Sequence, residues 1–177
     1  MRTAIVTDSN SGIFEVEGQK LGVFVVPMPV QLHGEIYYEG RNITHEEFFR
    51  HLNRHESIST SQPALSDVLD LWDKLLGEYE ELVYIPMSNG LSGSCQTALG
   101  LAQGYKGRVQ VVDNHRISVT QRHAVLDAVT LQKQGYSARQ IREILEKTAY
   151  HSLIYVGVNT LEYLKGSGRV TPAAAAL

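Results

Sequence analysis

Short apolar runs that end in turn-forming residues alternate along this chain with longer stretches in which apolar residues recur at helical spacing. Strands that alternate with helices of about 10–15 residues are typical of βαβ units. The pattern therefore predicts an α/β fold with a mainly parallel sheet between helix layers. Buried strands are predicted at residues 2–7, 22–26, 82–86, 108–112 and 153–158. Helices are predicted from Pro63 to Gly77, from Ser92 to Gly104, and over 118–134, 138–149 and 160–164.

The region between the second strand and Pro63 has a different pattern. Two short β-type runs, at 30–32 and 35–38, flank His33-Gly34, which predicts a hairpin. Thr44 is followed three residues later by Glu47, the spacing of a capping box, so a helix is expected to begin there and to run to about residue 53. Residues 57–62 are predicted to form a loop that is rich in hydroxyl groups.

Charge and composition exclude several kinds of protein. A net charge of -3 and an isoelectric point near 6.2 give no electrostatic surface for nucleic acid. A single cysteine rules out an internal disulfide framework and a cysteine-based zinc cluster. No run of 18 apolar residues is present, so no membrane span is predicted. The first residues lack the apolar segment of a signal peptide, and we therefore expect a cytoplasmic protein.

The common cofactor and metal motifs are missing from the sequence. Neither a P-loop nor a G-x-G-x-x-G motif is found, so no nucleotide cofactor is expected. His51 and His55 are four residues apart on one predicted helix end, but no third ligand is evident from the sequence. A solvated polar face is therefore favoured there over a metal site. Cys95, just inside a predicted helix, is interpreted as a packing residue.

The segment from Gly90 to Ser94 has a partial likeness to the nucleophile motif G-x-S-x-G, but position 94 is serine instead of glycine. Asp113 with His115 or His123 would have to complete a triad, and their spacing does not favour one. A serine hydrolase or acyltransferase that uses Ser92 stays open as the alternative function.

Anion binding is the chemistry that the hydroxyl-rich segments favour. Ser92-Gly93-Ser94 follows a strand and opens a helix, whose free N–H groups and dipole attract a negative group. A second such segment, residues 59–63, precedes another helix. Either one alone is explained as an ordinary N-cap, whereas two in one α/β domain make an anion site about as plausible as caps alone.

Five segments of the chain together form a recognisable set of motifs. Two of them are Thr60-Ser61-Gln62-Pro63 and Ser88-Asn89-Gly90-Leu91-Ser92-Gly93-Ser94. The other three are Thr7-Asp8-Ser9, Val112-Asp113-Asn114 and Leu164-Lys165-Gly166-Ser167-Gly168-Arg169-Val170. With these segments in this order, the chain resembles the DegV family of bacterial fatty-acid-binding proteins, for which the first two motifs are specific when they occur together.

The resemblance implies a protein that holds one long-chain fatty acid between two α/β domains and is not itself an enzyme. It implies that the carboxylate is bound by Thr60, Ser61, Ser92, Gly93 and Ser94, with Arg169 near the head group or at a partner surface. It also implies a partner, the ATP-binding subunit of a fatty acid kinase, to which the bound carboxylate is presented. No cofactor and no metal are expected.

The resemblance also implies a domain division. Residues 1–150 are expected to form the α/β domain with the head-group loops, and 151–177 the start of a second, incomplete domain. Members of the family continue for roughly another hundred residues. We therefore expect the chain to be truncated at its carboxyl end, and this short form to bind fatty acid poorly.

Overall fold

The computed structural model describes residues 2–54, 56, 58–155, 157 and 164. Seven strands and six helices follow one another over these residues. The strands are β1 (Thr3–Asp8), β2 (Val23–Val26), β3 (Pro29–Leu32), β4 (Glu35–Tyr38), β5 (Ile58–Thr60), β6 (Glu81–Ile85) and β7 (Val109–Val111). The helices are α1 (Glu15–Leu21), α2 (His45–Asn53), α3 (Leu65–Glu78), α4 (Ser94–Ala102), α5 (Ser118–Lys133) and α6 (Ala138–Lys147).

The main sheet has four parallel strands in the order β2-β1-β6-β7. Successive side chains of its central strands point to opposite faces, as the pleat requires. Ile5 and Val83 enter a core formed with α5 and α6, whereas Val6 and Tyr84 enter a core formed with α3 and α4. Because both faces are covered by helices, these central strands are buried along their whole length. The predicted α/β class and its parallel sheet are confirmed.

A second, smaller sheet is antiparallel and has the order β4-β3-β5. The predicted hairpin at His33-Gly34 joins β3 to β4, and the predicted capping box of Thr44 and Glu47 begins α2. The prediction of a loop over 57–62 is wrong for residues 58–60, because Ile58–Thr60 pairs with β3. Three residues are too few for a periodic signal, so tertiary pairing alone makes this segment a strand.

Three other local predictions differ from the structure. Helix α3 continues through Gly77 to Glu78, because the glycine lies in its exposed last turn. Helix α4 begins at Ser94 with Gly93 as its N-cap, one residue after the predicted cap at Ser92. Helix α1 was not predicted. It has seven residues and contains Gly18, where a Cβ atom would lie only 2.6 Å from the carbonyl oxygen of Val23.

The carboxyl-terminal predictions are only partly covered by the described residues. Residues 152–155 and 157, within or next to the predicted strand at 153–158, have no regular secondary structure. Of the predicted helical turn at 160–164, only Leu164 is described, and it is helical. The other residues of that turn, and Arg169, lie outside the described part of the chain. No helix among the described residues is long and apolar enough to cross a membrane.

Candidate functional site

The start of α4 is built by the loop that leaves the centre of the main sheet. Strand β6 ends at Ile85, and the chain reaches the helix through a turn in which the N–H groups of Leu91 and Ser92 donate to the carbonyl oxygen of Ser88. Gly93, the N-cap, provides no side-chain cap, and Ser92 Oγ accepts from the Ser94 N–H at 3.2 Å. The rest of the first turn is left with the free N–H groups that favour a negative ligand.

The loop before α3 lies against the same helix. This loop connects β5 to α3 and contains Gln62 and Pro63. The Gln62 Oε1 atom accepts a hydrogen bond of 3.0 Å from the Thr97 hydroxyl, on the first turns of α4. The two hydroxyl-rich segments that the sequence singled out are therefore neighbours in space, although about 30 residues separate them along the chain.

A pocket lies between these segments, and its two ends differ in polarity. Its polar end is formed by Gln62, Ser94 and Thr97. The rest of its wall is apolar or aromatic and comes from α3, α4 and β6: Pro63, Leu65, Val68, Tyr84, Ala98 and Leu101. As a cavity it holds only about 10 Å³, room for about one water molecule and far less than the roughly 300–1,000 Å³ of a typical ligand pocket. These residues by themselves provide only the start of a site for a long ligand.

Ser94 is the most informative residue of the pocket. It is only 5% exposed, and its hydroxyl has no hydrogen-bond partner. Leaving a buried hydroxyl without a partner costs about 1–3 kcal/mol, so such groups are uncommon in native proteins. A ligand oxygen in the pocket would satisfy this hydroxyl.

Gly93 leaves open space at the helix start. A Cβ atom built on this residue would meet no other atom within 4 Å. The backbone there is accessible to a ligand, and its φ of -68° is one that any residue adopts. The glycine is therefore not required by the local conformation, which leaves close approach of a ligand as a reason for it.

The other expected head-group residues lie at the edge of this site. Thr60 is the last residue of β5, Ser61 follows it, and both are exposed. Neither residue lines the pocket. Ser92 is half-buried, and its hydroxyl already caps the helix. Among the expected residues, the structure thus brings Ser94 into the pocket, with Gly93 beside it.

The pocket also contains residues that sequence reasoning did not select. Gln62 belongs to the Thr60-Ser61-Gln62-Pro63 motif, but no role is predicted for it from the sequence. Thr97 is three residues after Ser94, on the same side of α4. That helical spacing is a signal that would have pointed to Thr97. The apolar wall residues carry no such signal, because they have the ordinary pattern of core positions.

The groups that a serine nucleophile needs are not assembled among the described residues. His115 lies with its Nδ1 atom 3.6 Å from Asp113 Oδ1 and stacks on Tyr150, and His123 is exposed on α5. Within the described ranges, no histidine nitrogen hydrogen-bonds Ser92 or Ser94. A general base would have to lie within that reach to activate the serine.

Cys95 fits the packing role expected from the sequence. It is fully buried in the core formed with α3 and α4. Burial raises the pKa of its thiol to about 12, so the nucleophilic thiolate is scarce at neutral pH.

A second polar cluster lies at the end of the neighbouring strand β1. Both carboxylate oxygens of the fully buried Asp8 accept hydrogen bonds: Oδ2 from the Met87 N–H at 2.7 Å, and Oδ1 from the Asn10 N–H and Gln121 Nε2 at 3.0 Å each. Gln121 Nε2 also donates to the carbonyl oxygen of Ile85. Burial raises the pKa of Asp8 above its usual value. Because its partners come from β6 and α5, this cluster joins the strand ends to each other.

Fold and pocket together define the class: an α/β protein with a parallel sheet and a pocket that is polar at a helix start and apolar along its wall. The family model described as "Uncharacterised protein, DegV family" matches residues 2–177. The chain therefore belongs to the DegV family, as its motifs indicated.

Individual relatives support this assignment. A DegV domain-containing protein of Deinococcus radiodurans is 33% identical over 178 residues, which cover 100% of this chain and 63% of the relative. The solved structure titled as fatty acid binding of a DegV family protein from Thermus thermophilus is 35% identical, with a TM-score of 0.88, and the match covers 100% of this chain and 64% of that one.

The structure of DegV from Bacillus subtilis, titled as a fatty acid binding protein, is 27% identical with a TM-score of 0.75, over 84% of this chain and 54% of that one. The chain thus spans about three fifths of the length of the curated relatives that it matches.

Proposed function

We propose that this protein binds a long-chain fatty acid and holds its carboxylate at the start of α4. The unpartnered, buried hydroxyl of Ser94 is the observation that carries the proposal. It lines a pocket whose opposite wall is apolar, so one ligand with a polar head and an apolar tail would satisfy both ends. The fatty acids named for the Thermus thermophilus and Bacillus subtilis relatives have this chemistry.

The head group would be bound by several donors that converge on the helix start. Ser94 would donate its hydroxyl, and the free N–H groups of the first turn of α4 would complete the binding with the help of the helix dipole. Thr60 and Ser61 are exposed beside this point and would contact the carboxylate from the other side of the pocket mouth. Each hydrogen bond to the charged group contributes about 1.5–3 kcal/mol.

The tail would supply most of the affinity. Burying a chain of 16 carbons at about 0.8 kcal/mol per methylene contributes on the order of 12 kcal/mol before ordering costs. Tyr84, Val68 and Leu101 provide the start of an apolar wall. Because the pocket of the described residues has room for only about one water molecule, we propose that a second domain, which begins at about residue 151, completes the site and covers the tail.

A partner enzyme is part of the same proposal. With the tail buried, the carboxylate would lie beside the exposed Ser61 and Gly93, where a second protein has access to it. We infer that this second protein is the ATP-binding subunit of a fatty acid kinase, and that the present protein acts in the cytoplasm as its acyl carrier. In the same proposal, Arg169 would contact the head group or the partner protein.

The test is a titration with a fluorescent long-chain fatty acid. It uses this chain and a chimera in which the Thermus thermophilus relative supplies the part of its length that this chain does not match. The chimera is expected to bind one acid per chain, and to bind the matched long-chain alcohol at least about 10-fold more weakly because the alcohol lacks the charge. Mass spectrometry of lipid extracted from the purified chimera should find acids with 14–18 carbons.

Gly93→Ala in the chimera sharpens the test. The methyl group enters the open space at the helix start, where the carboxylate is expected, so binding should weaken at least about 10-fold without loss of helicity. A folded chimera that carries no fatty acid and binds none would overturn the proposal. Equal affinity for acid and alcohol would place the head group elsewhere.

A further inference from the structure

A second cluster of ligating side chains lies away from the pocket, where the small sheet meets the end of α2. Glu56 Oε2 is 2.6 Å from His33 Nε2 and 2.5 Å from His51 Nδ1, so both imidazole rings converge on one carboxylate oxygen. These three atoms all lie within 4.8 Å of one another. Within the described part of the chain, this is the one group of three or more such residues that is close enough to hold a metal ion.

The three residues come from three separate pieces of the fold. His33 is in the two-residue turn between β3 and β4, with φ values of 54° at His33 and 84° at Gly34, the positive pair that a tight hairpin turn requires. His51 is in the last turn of α2, and Glu56 follows that helix just before β5. No third ligand is evident from the sequence, because the hairpin that supplies His33 lies 18 residues before His51.

The surroundings suit a cation. The side chains of Glu56 and His51 are mostly buried, at 20% and 29% exposed, whereas His33 is 62% exposed and leaves one side open to water. The Glu56 carboxylate oxygen is hydrogen-bonded to both rings. A divalent cation that replaces the protons shared between these atoms would be bound by the same three side chains.

We propose that His33, His51 and Glu56 form a Zn²⁺ site, with the fourth position taken by water. Two imidazole nitrogens and one carboxylate oxygen are a known ligand set for zinc, at about 2.0–2.1 Å from the ion. Tetrahedral geometry at that distance separates the ligand atoms by about 3.3 Å, so each of the two present contacts has to lengthen by less than about 1 Å. The bound ion would fasten the hairpin turn to the end of α2.

The test is calorimetric titration of the untagged, metal-free chain with ZnCl₂. One ion per chain is expected for the unchanged protein, together with a rise in melting temperature. Three single substitutions each remove one ligand: His33→Asn, which keeps a residue suited to positive φ, His51→Ala, which keeps a good helix former, and Glu56→Gln. Each should weaken binding by more than the roughly 10–100-fold that loss of an outer-shell partner costs.

His45→Ala is the matched control. His45 lies 3.1 Å from Glu39 in a similarly exposed pair, and no third ligand joins that pair among the described residues. Its loss should leave zinc affinity unchanged. The proposal is overturned if the unchanged chain binds no zinc stoichiometrically, or if the three variants bind it as tightly as the control. Neither result depends on whether the protein binds a fatty acid.

Discussion

Buried oxygens at two neighbouring strand ends of the main sheet are satisfied to different degrees. At the end of β1, both carboxylate oxygens of Asp8 accept hydrogen bonds from donors in the loop after β6, in α5 and in its own loop. At the helix start that follows β6, the buried Ser94 hydroxyl has no hydrogen-bond partner. Ligands bind at strand carboxyl ends in open α/β sheets. The Asp8 carboxylate is therefore occupied by donors of the fold itself, whereas the Ser94 hydroxyl is left available for a ligand.

The hydrogen bonds at the end of β1 also explain one of the family motifs without a ligand. Thr7 and Asp8 belong to one of the segments that resemble the family, and the Thr7 hydroxyl donates to the carbonyl oxygen of Ile85 at 2.8 Å. Together with the bonds of Asp8, this ties β1 to β6 where both strands end. These residues therefore have a structural role that is sufficient to account for their presence.

Removing the carboxylate at the end of β1 should produce the largest effect on stability. Asp8→Ala leaves the N–H of Met87 without its acceptor in a buried place and the N–H of Asn10 without its acceptor in a partly buried one, whereas Gln121 Nε2 keeps the carbonyl oxygen of Ile85. Each lost acceptor costs about 1–3 kcal/mol, so a loss of about 2–5 kcal/mol in the free energy of unfolding is expected. Urea denaturation measures it, with the exposed Asp127→Ala on α5 as control, expected within about 0.5 kcal/mol. A loss below about 1 kcal/mol would contradict the structural role of Asp8.

Removing the unpaired hydroxyl at the start of α4 should instead weaken fatty acid binding and leave the free energy of unfolding unchanged. Ser94→Ala removes a hydroxyl that has no partner in the free protein, so the free energy of unfolding should stay the same or rise slightly. Loss of a hydrogen bond to a carboxylate costs about 1.5–3 kcal/mol, which is roughly 10- to 150-fold in fatty acid affinity.

Thermal melts and the fatty acid titration measure both effects of Ser94→Ala. Ser66→Ala, exposed on α3, is the control and should change neither quantity. If Ser94→Ala lowers stability and leaves affinity intact, its hydroxyl belongs to the fold instead of the site.

Substitutions of Ser92 and Ser61, at the edge of the site, separate helix capping from ligand binding. Ser92→Ala removes the acceptor of the Ser94 N–H, which should cost about 1 kcal/mol of stability. Ser61→Ala, in an exposed loop, should change stability by less than about 0.5 kcal/mol. Both are expected to weaken fatty acid binding by roughly 10- to 150-fold if they contact the carboxylate. Unchanged affinity for Ser92→Ala with reduced stability would leave it as a cap alone.

Features that depend on neighbours along the chain could be predicted from the sequence. Apolar runs predicted the four parallel strands, and the spacing of Thr44 and Glu47 predicted the start of α2. Such signals are local, because a helix start is satisfied by residues three positions away and a buried strand by its own composition. The same locality made the serine-rich start of α4 recognisable to within one residue.

Contacts between elements that are distant along the chain are visible only in the tertiary structure. Strand β5 exists because Ile58–Thr60 pairs with β3, and Thr97 joins the site because Gln62 reaches it from 35 residues away. The roles of Asp8, which depends on Met87 and Gln121, and of His33, which lies beside Glu56, were likewise invisible in the pattern of the chain. Burial and hydrogen-bond satisfaction depend on distances in space. Residues this far apart along the chain come within those distances only because of the spatial order of the strands in the sheets.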